Sequence, residues 1–373
     1  MPSSKRNLGE HALMKRRGSK LGVKRFFQEQ LSGEEALTFT TAKRLFDLAE
    51  ELLIVQPWQA LADTELILVK DPQLGGFCFC SVLGQLGEIF AVHAYRGMQS
   101  YCLFKKMAAG VPIDIGEFFG EQHSLTLEFL TPGKLSPADR DLALALGHPL
   151  KKGTMVPQFR AGRPGYRPWY PTEGEGKVLA LCVESVLAFC EYAADNPEFD
   201  SWQYEDVYPK VVWTSKKFFR VENDLVRETA PPPDPAPLDQ DRLEKLCRGD
   251  YPLRGIIEVD QFYSGAPVGE KNQRKACLRV VMSVDAETRF LYTVEALEPV
   301  RSLGEVLVEG VLQTIERGRF VPAEVRVKQE RYRLLLLALK ERFGFELRVS
   351  ENLPALDFAK EHLQRTLGDP GKI

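Results

Sequence analysis

The chain has 373 residues, 44% hydrophobic and 27% charged, with a formal net charge of −3 and a pI near 6.1. That composition is close to the globular average, which excludes a wholly disordered chain, and the length fits two cores better than one. The near-neutral balance gives no bulk attraction to nucleic acid or membrane, and no apolar run of about 18 residues offers a membrane span.

The start of the chain departs from this balance. Lys5, Arg6, Lys15, Arg16, Arg17, Lys20, Lys24 and Arg25 precede Phe27 and are opposed only by Glu10. Such a segment predicts a disordered basic arm over residues 1–30, either a solvated tail or an arm that touches RNA, DNA or an acidic partner. No apolar stretch follows the cations, so the segment does not read as a signal peptide.

From Thr38 to position 228 the pattern predicts one α+β domain. Leu45, Leu48, Ala49 and Leu52 recur at helical spacing, and Pro57 stops the helix. Leu66–Val69, Phe77–Leu83 and Ile89–Tyr95 predict three strands of an antiparallel meander, turned at Gly75-Gly76 and at Gln85–Glu88. A helix is expected over Gly97–Met107. Leu125–Leu130 alternates like a half-buried strand. Ser136 and Pro137 open a further helix, and Val178–Ala193 predicts an apolar helix at the centre of the core.

Residues 229–237 carry five prolines and predict a semi-rigid linker. A second domain is expected over 238–370. Strands are predicted over Gly255–Tyr263, Cys277–Val284 and Arg289–Leu297, then a helix over Leu303–Glu316 closed by Gly318. A strand over Glu324–Lys328, a helix over Arg331–Phe343, a strand over Glu346–Val349 and a helix over Leu356–Leu367 complete it. Three antiparallel strands followed by alternating strands and helices imply a mixed sheet with helices packed on it.

That order resembles the ribonuclease-H-like core of integrases and transposases. Val281–Arg289 is similar to the hairpin common in transposase cores, and Gly318–Val327 is similar to their approach to the next strand. The likeness spans roughly residues 254–367. The whole chain also resembles a family of uncharacterised bacterial proteins whose two halves are both domains of unknown function. Pro57-Trp58, the glycine-rich meander from Gly75 to Gly97, Pro157–Arg160, Pro164–Trp169 and Leu353–Asp357 carry that resemblance. The fold class expected is therefore α+β: an N-terminal antiparallel meander with packed helices, then a C-terminal mixed-sheet α/β domain of ribonuclease-H-like order.

The resemblance implies a test for chemistry. Active enzymes of that kind gather acidic residues on divalent metals that stabilise the oxygens of a phosphoryl transfer. Asp260, on the first strand of the domain, is the natural first ligand. The second acid belongs at the end of the strand after Pro322, yet Val327-Lys328-Gln329-Glu330 stands there. Glu330, Asp357 and Glu361 are the remaining weak candidates. A lysine at a metal site would repel the cation, so no metal is assigned. The plain alternative for Asp260 is a strand residue paired with Arg274 or Lys275.

Elsewhere, Cys78, Cys80 and His93 could conceivably share a zinc ion, but a fourth ligand and the usual cysteine spacing are lacking. No nucleotide-binding loop occurs, and no cofactor is expected. Phe159–Tyr170 mixes arginines with aromatics in a Gly/Pro loop. Arg160, Arg163, Tyr166, Arg167 and Trp169 could stack on bases and hold phosphates, or could simply cover the core. The seven cysteines fall mostly in apolar runs and suggest reduced thiols in a cytoplasmic protein. These features favour a non-catalytic interaction or scaffold protein with an unidentified macromolecular partner, protein or nucleic acid, and no membrane. The alternatives are a nucleic-acid-binding protein using the arm and the arginine-aromatic loop, or a metal-dependent nuclease with an atypical acidic site.

Overall fold

The computed structural model describes residues 36–113, 118, 120–199, 204–215, 217–227, 238–270 and 273–367. The expected basic arm and the proline-rich linker lie outside the described residues. Helix α1 (Phe39–Val55) starts where the Thr38 hydroxyl accepts the Thr41 N–H, and it ends at Gln56, whose φ of 50° leads into Pro57. Its buried stripe contains Leu45, Leu48, Ala49 and Leu52, as the spacing predicts.

Strands β1 (Ile67–Lys70), β2 (Phe77–Leu83) and β3 (Phe90–Arg96) form the expected meander. Helix α2 (Gly97–Ala108) leads on to β4 (Ser124–Leu130), and α3 (Pro137–Ala145) precedes β5 (Val156–Gly162). Then follow α4 (Glu173–Asp195), β6 (Val207–Trp213) and β7 (Phe219–Leu225). The sheet order is β5-β4-β3-β2-β1-β6-β7, with β6 parallel to β1 and the other neighbours antiparallel. Helices α1 and α4 bury one face of this sheet, where Cys78, Cys80, Val92, Leu125 and Phe159 lie. The opposite face packs Phe79 and Tyr95 against Tyr101 and Phe104 of α2.

The second sheet follows α5 (Gln240–Cys247). It is built from β8 (Ile256–Val268), β9 (Ala276–Asp285), β10 (Leu291–Leu297), β11 (Glu324–Val327) and β12 (Glu346–Val349). Its order is β10-β9-β8-β11-β12; β9 is antiparallel to both neighbours, while β11 runs parallel to β8 and β12. Helices α6 (Leu303–Gly318) and α7 (Glu330–Phe343) cover one face with α5, and α8 (Pro354–Leu367) covers the other. Side chains alternate along a strand. Ile257 and Val259 therefore enter the core under α6 and α7, and Glu258 and Asp260 face the α8 side.

Three sequence expectations need correction. Phe159–Gly162 is not loop: it completes β5, pairing with β4 from Leu130↔Val156 to Ser124↔Gly162. Residues 207–225, for which the sequence predicts no element, form the β6–β7 hairpin. Arg289 is not in β10; it occupies the turn with φ 60°, and the strand starts at Leu291.

The two sheets are stitched together by main chain. Trp169 pairs with Ala161 on the β5 edge, and Tyr166 pairs with Ala276 at the start of β9. The Arg167 N–H donates to the Lys275 carbonyl at 2.8 Å, and the Cys277 N–H donates to the Gly165 carbonyl at 2.7 Å. Tyr263 adds a hydroxyl bond to the Gly120 carbonyl at 3.2 Å. Arg331 of α7 pairs with Glu121 at 2.6 Å.

Candidate functional site

The parallel register sets Arg326 of β11 beside Glu258 of β8. Lys328, two residues further on, therefore leaves β11 beside Asp260. Asp260 is only 7% exposed, and its carboxylate accepts the N–H of the adjacent Gln261 at 2.8 Å. Burial pushes its pKa up to about 6; the Lys360 and Lys328 ammoniums oppose that rise and the Asp357 carboxylate adds to it. Lys360, on α8, lies 4.6 Å above the ring of Phe262.

The other acids have separate work. Glu258 is fully buried and accepts the Leu356 N–H at 2.8 Å, which ties the first turn of α8 to the sheet. Burial raises its pKa, and its second carboxyl oxygen has no hydrogen-bond partner among the described residues. Glu330 opens α7 on the surface and holds Arg333 with bonds of 2.8 and 2.9 Å, so the guanidinium keeps its carboxyl below the ordinary range. Asp357 and Glu361 are exposed on α8. Among the described residues, no three His, Cys, Asp or Glu side chains come together to hold a metal ion. What surrounds Asp260 is two ammoniums and one further carboxylate. Two carboxylates among two ammoniums can form ion pairs and hydrogen bonds, but they do not make the acidic cage that two-metal chemistry uses.

Neither expected partner of Asp260 is near it for pairing. Arg274 reaches across to the other sheet, donating to the carbonyls of Ala161 at 2.8 Å and Tyr170 at 3.3 Å. Lys275 folds onto the carbonyls of Gly269 and Glu270.

The arginine-aromatic residues do come together, at the seam between the sheets. Arg160 grips Asp139 through two bonds of 2.6 and 3.1 Å and lies 4.5 Å over the Tyr170 ring. Arg163 pairs with Glu175 at 2.7 Å, and Arg274 approaches the same carboxylate at 3.8 Å. Trp169 packs edge-on to Tyr170 at 5.3 Å. Tyr166 and Arg167 contribute the main-chain pairing described above.

The conceivable zinc trio is split by the sheet. Cys78 and Cys80 face α4, where they meet Cys182. His93 pairs in register with Ser81, so its ring lies on the opposite face. There it contacts Thr126 at 3.0 Å and Gln122 at 3.1 Å, and burial lowers its pKa to about 4.

Sequence reasoning missed a buried ion pair. Asp71 follows β1 and Arg96 ends β3; their side chains are 1% and 2% exposed and join at 2.7 and 3.1 Å. Arg96 also donates to Gln73 at 3.0 Å and meets His123 at 3.3 Å. Two opposite charges closing β1 and β3, the strands that flank β2 in an apolar meander, were the available signal.

Residues 43–208 match the family model "Domain of unknown function (DUF7309)", and residues 241–364 match "Domain of unknown function (DUF6930)". No curated protein and no solved structure matches the chain.

Proposed function

We propose, for a chain that joins a DUF7309 domain to a DUF6930 domain, a non-catalytic role as an interaction protein whose C-terminal half is a ribonuclease-H-like core without a metal site. The element order supports the likeness: three antiparallel strands, then two parallel strands reached through helices. The observation that carries the functional reading is the position beside Asp260. Lys328 stands there, and Lys360 approaches from α8. The ammonium groups offset part of the cost of burying the carboxylate, and they oppose entry of a divalent cation.

The domains run over 38–228 and 238–370 in this reading. Two separate apolar cores on each side of the linker and the two family matches support that division. A cytoplasmic setting is supported by seven cysteines that are all free thiols. No helix among the described residues is long and apolar enough to cross a membrane.

The test is a cleavage assay. Purified protein is incubated with magnesium or manganese and with single-stranded, duplex and hybrid nucleic acids. No cleavage above that of Asp260→Asn is expected. Metal-dependent cleavage that the substitution abolishes would overturn the proposal and restore the nuclease alternative. Retention on single-stranded nucleic acid that weakens steeply with salt, lost on removal of the arm cations, would instead favour the binding role expected of the arm and loop.

A further inference from the structure

A groove of about 1190 Å³ runs between α1, α4 and the β6–β7 hairpin. Its floor is apolar, made by Leu48, Val55, Leu187, Trp213 and Phe219. Next in sequence to its lining residues Val55 and Phe219, Ile54 (81%) and Phe218 (71%) are exposed. An apolar floor of this kind can take apolar side chains from another segment. The rim adds a sign. Arg44 is tied to Glu184 at 2.5 Å, which leaves Glu51 and Glu191 against Lys217. The rim is therefore net negative and suits a cationic, amphipathic occupant.

The chain itself supplies one. Thirty-five residues precede Ala36, and Ala36 pairs antiparallel with Thr172 at the start of α4. Ala36 is thereby fixed beside the start of α4. Helix α1 runs alongside α4 in the same direction: Thr41 meets Glu173 at the start of both, and Arg44 meets Glu184 further on. The groove opens at Arg44, about 8 Å along α1 from its first residue. Residues 32–35 span about 13 Å when extended, so the segment before them can reach it. In that segment Val23, Phe26, Phe27 and Leu31 carry the i, i+3, i+4, i+8 spacing of a single apolar stripe, next to Lys20, Lys24 and Arg25.

We propose that residues 21–31 seat in this groove as an intramolecular plug, with the apolar stripe on its floor and the cations against Glu51 and Glu191. Seating the segment covers Trp213 and Phe219 and withholds both the groove and the arm's charges from other partners.

The full chain tests this with p-benzoylphenylalanine in place of Phe26, irradiated and mapped by peptide mass spectrometry. The expected product is a crosslink within one chain into residues 44–55, 181–194 or 213–219, at a yield independent of protein concentration. Combining Glu51→Lys with Glu191→Lys, both exposed positions, is expected to abolish that product while the circular dichroism spectrum stays unchanged. A crosslink elsewhere in the chain, a crosslink between two copies, no crosslink, or an undiminished yield in the folded double variant would each overturn the proposal.

Discussion

Asp260 holds its charge where burial penalises it. Burial pushes its carboxyl up to about 6 in the folded chain against an ordinary value of 3.8, so folding favours the protonated form. The associated stability is fully present below the lower value and is lost as pH rises through the higher one. The difference corresponds to about 3 kcal/mol at neutral pH. Asp260→Asn is accordingly expected to raise stability by about 2–3 kcal/mol at pH 7.5 and to leave it unchanged at pH 3.5. Urea titrations of both proteins at the two pH values measure this, and an equal effect at both would show that Lys328 and Lys360 already compensate the charge. Asp71 behaves in the opposite sense. Burial alone would raise its pKa, but the Arg96 guanidinium and the N–H groups of Gln73 and Leu74 hold it below the ordinary range. Its contribution is present above the ordinary value of 3.8 and is lost as pH falls through the lowered folded-state value. Asp71→Ala leaves Arg96 buried without its anion, and a loss of about 3–5 kcal/mol at pH 7 is expected from the same titration.

At the scale of elements, α4 shows how much a short pattern can specify. Thr172 and Glu175 form a capping box in which the Glu175 N–H donates to the Thr172 hydroxyl at 3.3 Å and the Thr172 N–H donates to the Glu175 carboxylate at 2.9 Å. Thr172→Ala should cost about 1 kcal/mol in thermal or urea unfolding. That Thr-x-x-Glu signal stands in the sequence and starts α4 at Glu173, five residues before the apolar run from Val178. The meander and the second sheet were legible for a simpler reason: their strands are apolar runs or clean alternations set off by Gly, Pro or Asp turns. The β6–β7 hairpin was not. Pro209 argues against a strand, and β7 alternates Arg220, Glu222 and Asp224. The structure accommodates the proline because β1 bridges only Lys210 and Val211 of β6. The site was legible to the extent that it rested on one residue: Lys328 could be placed at the end of β11 from the sequence. Lys360 could not, since the approach of α8 to β8 depends on how Glu258 receives the start of that helix.

At the scale of the whole molecule, the two family matches are separate in sequence, but the seam joins the two sheets. The loop between Gly162 and Trp169 is paired to β5 on one side and to β9 on the other, and it passes through Gly165 at φ +80°. Only glycine adopts that conformation without strain, and a Cβ there would lie 2.1 Å from the Cβ of Pro299. A second close approach occurs at Gly120, where a Cβ would fall 1.8 Å from the Tyr263 ring. Neither neighbour is a flexible side-chain end, so a methyl group at these points must push the halves apart. Main-chain pairing with buried charge at Glu175 and Arg274 couples their unfolding, and the native chain is expected to unfold in one transition by urea. Combining Gly165→Ala with Gly120→Ala should resolve that transition into two, each with a smaller dependence on urea than the native one, because each half then exposes its own surface separately. Tryptophan fluorescence and circular dichroism followed together would register the split as two non-coincident curves. Coincident curves in the double variant, with the urea dependence of the native protein, would mean that the halves are held by contacts other than this seam.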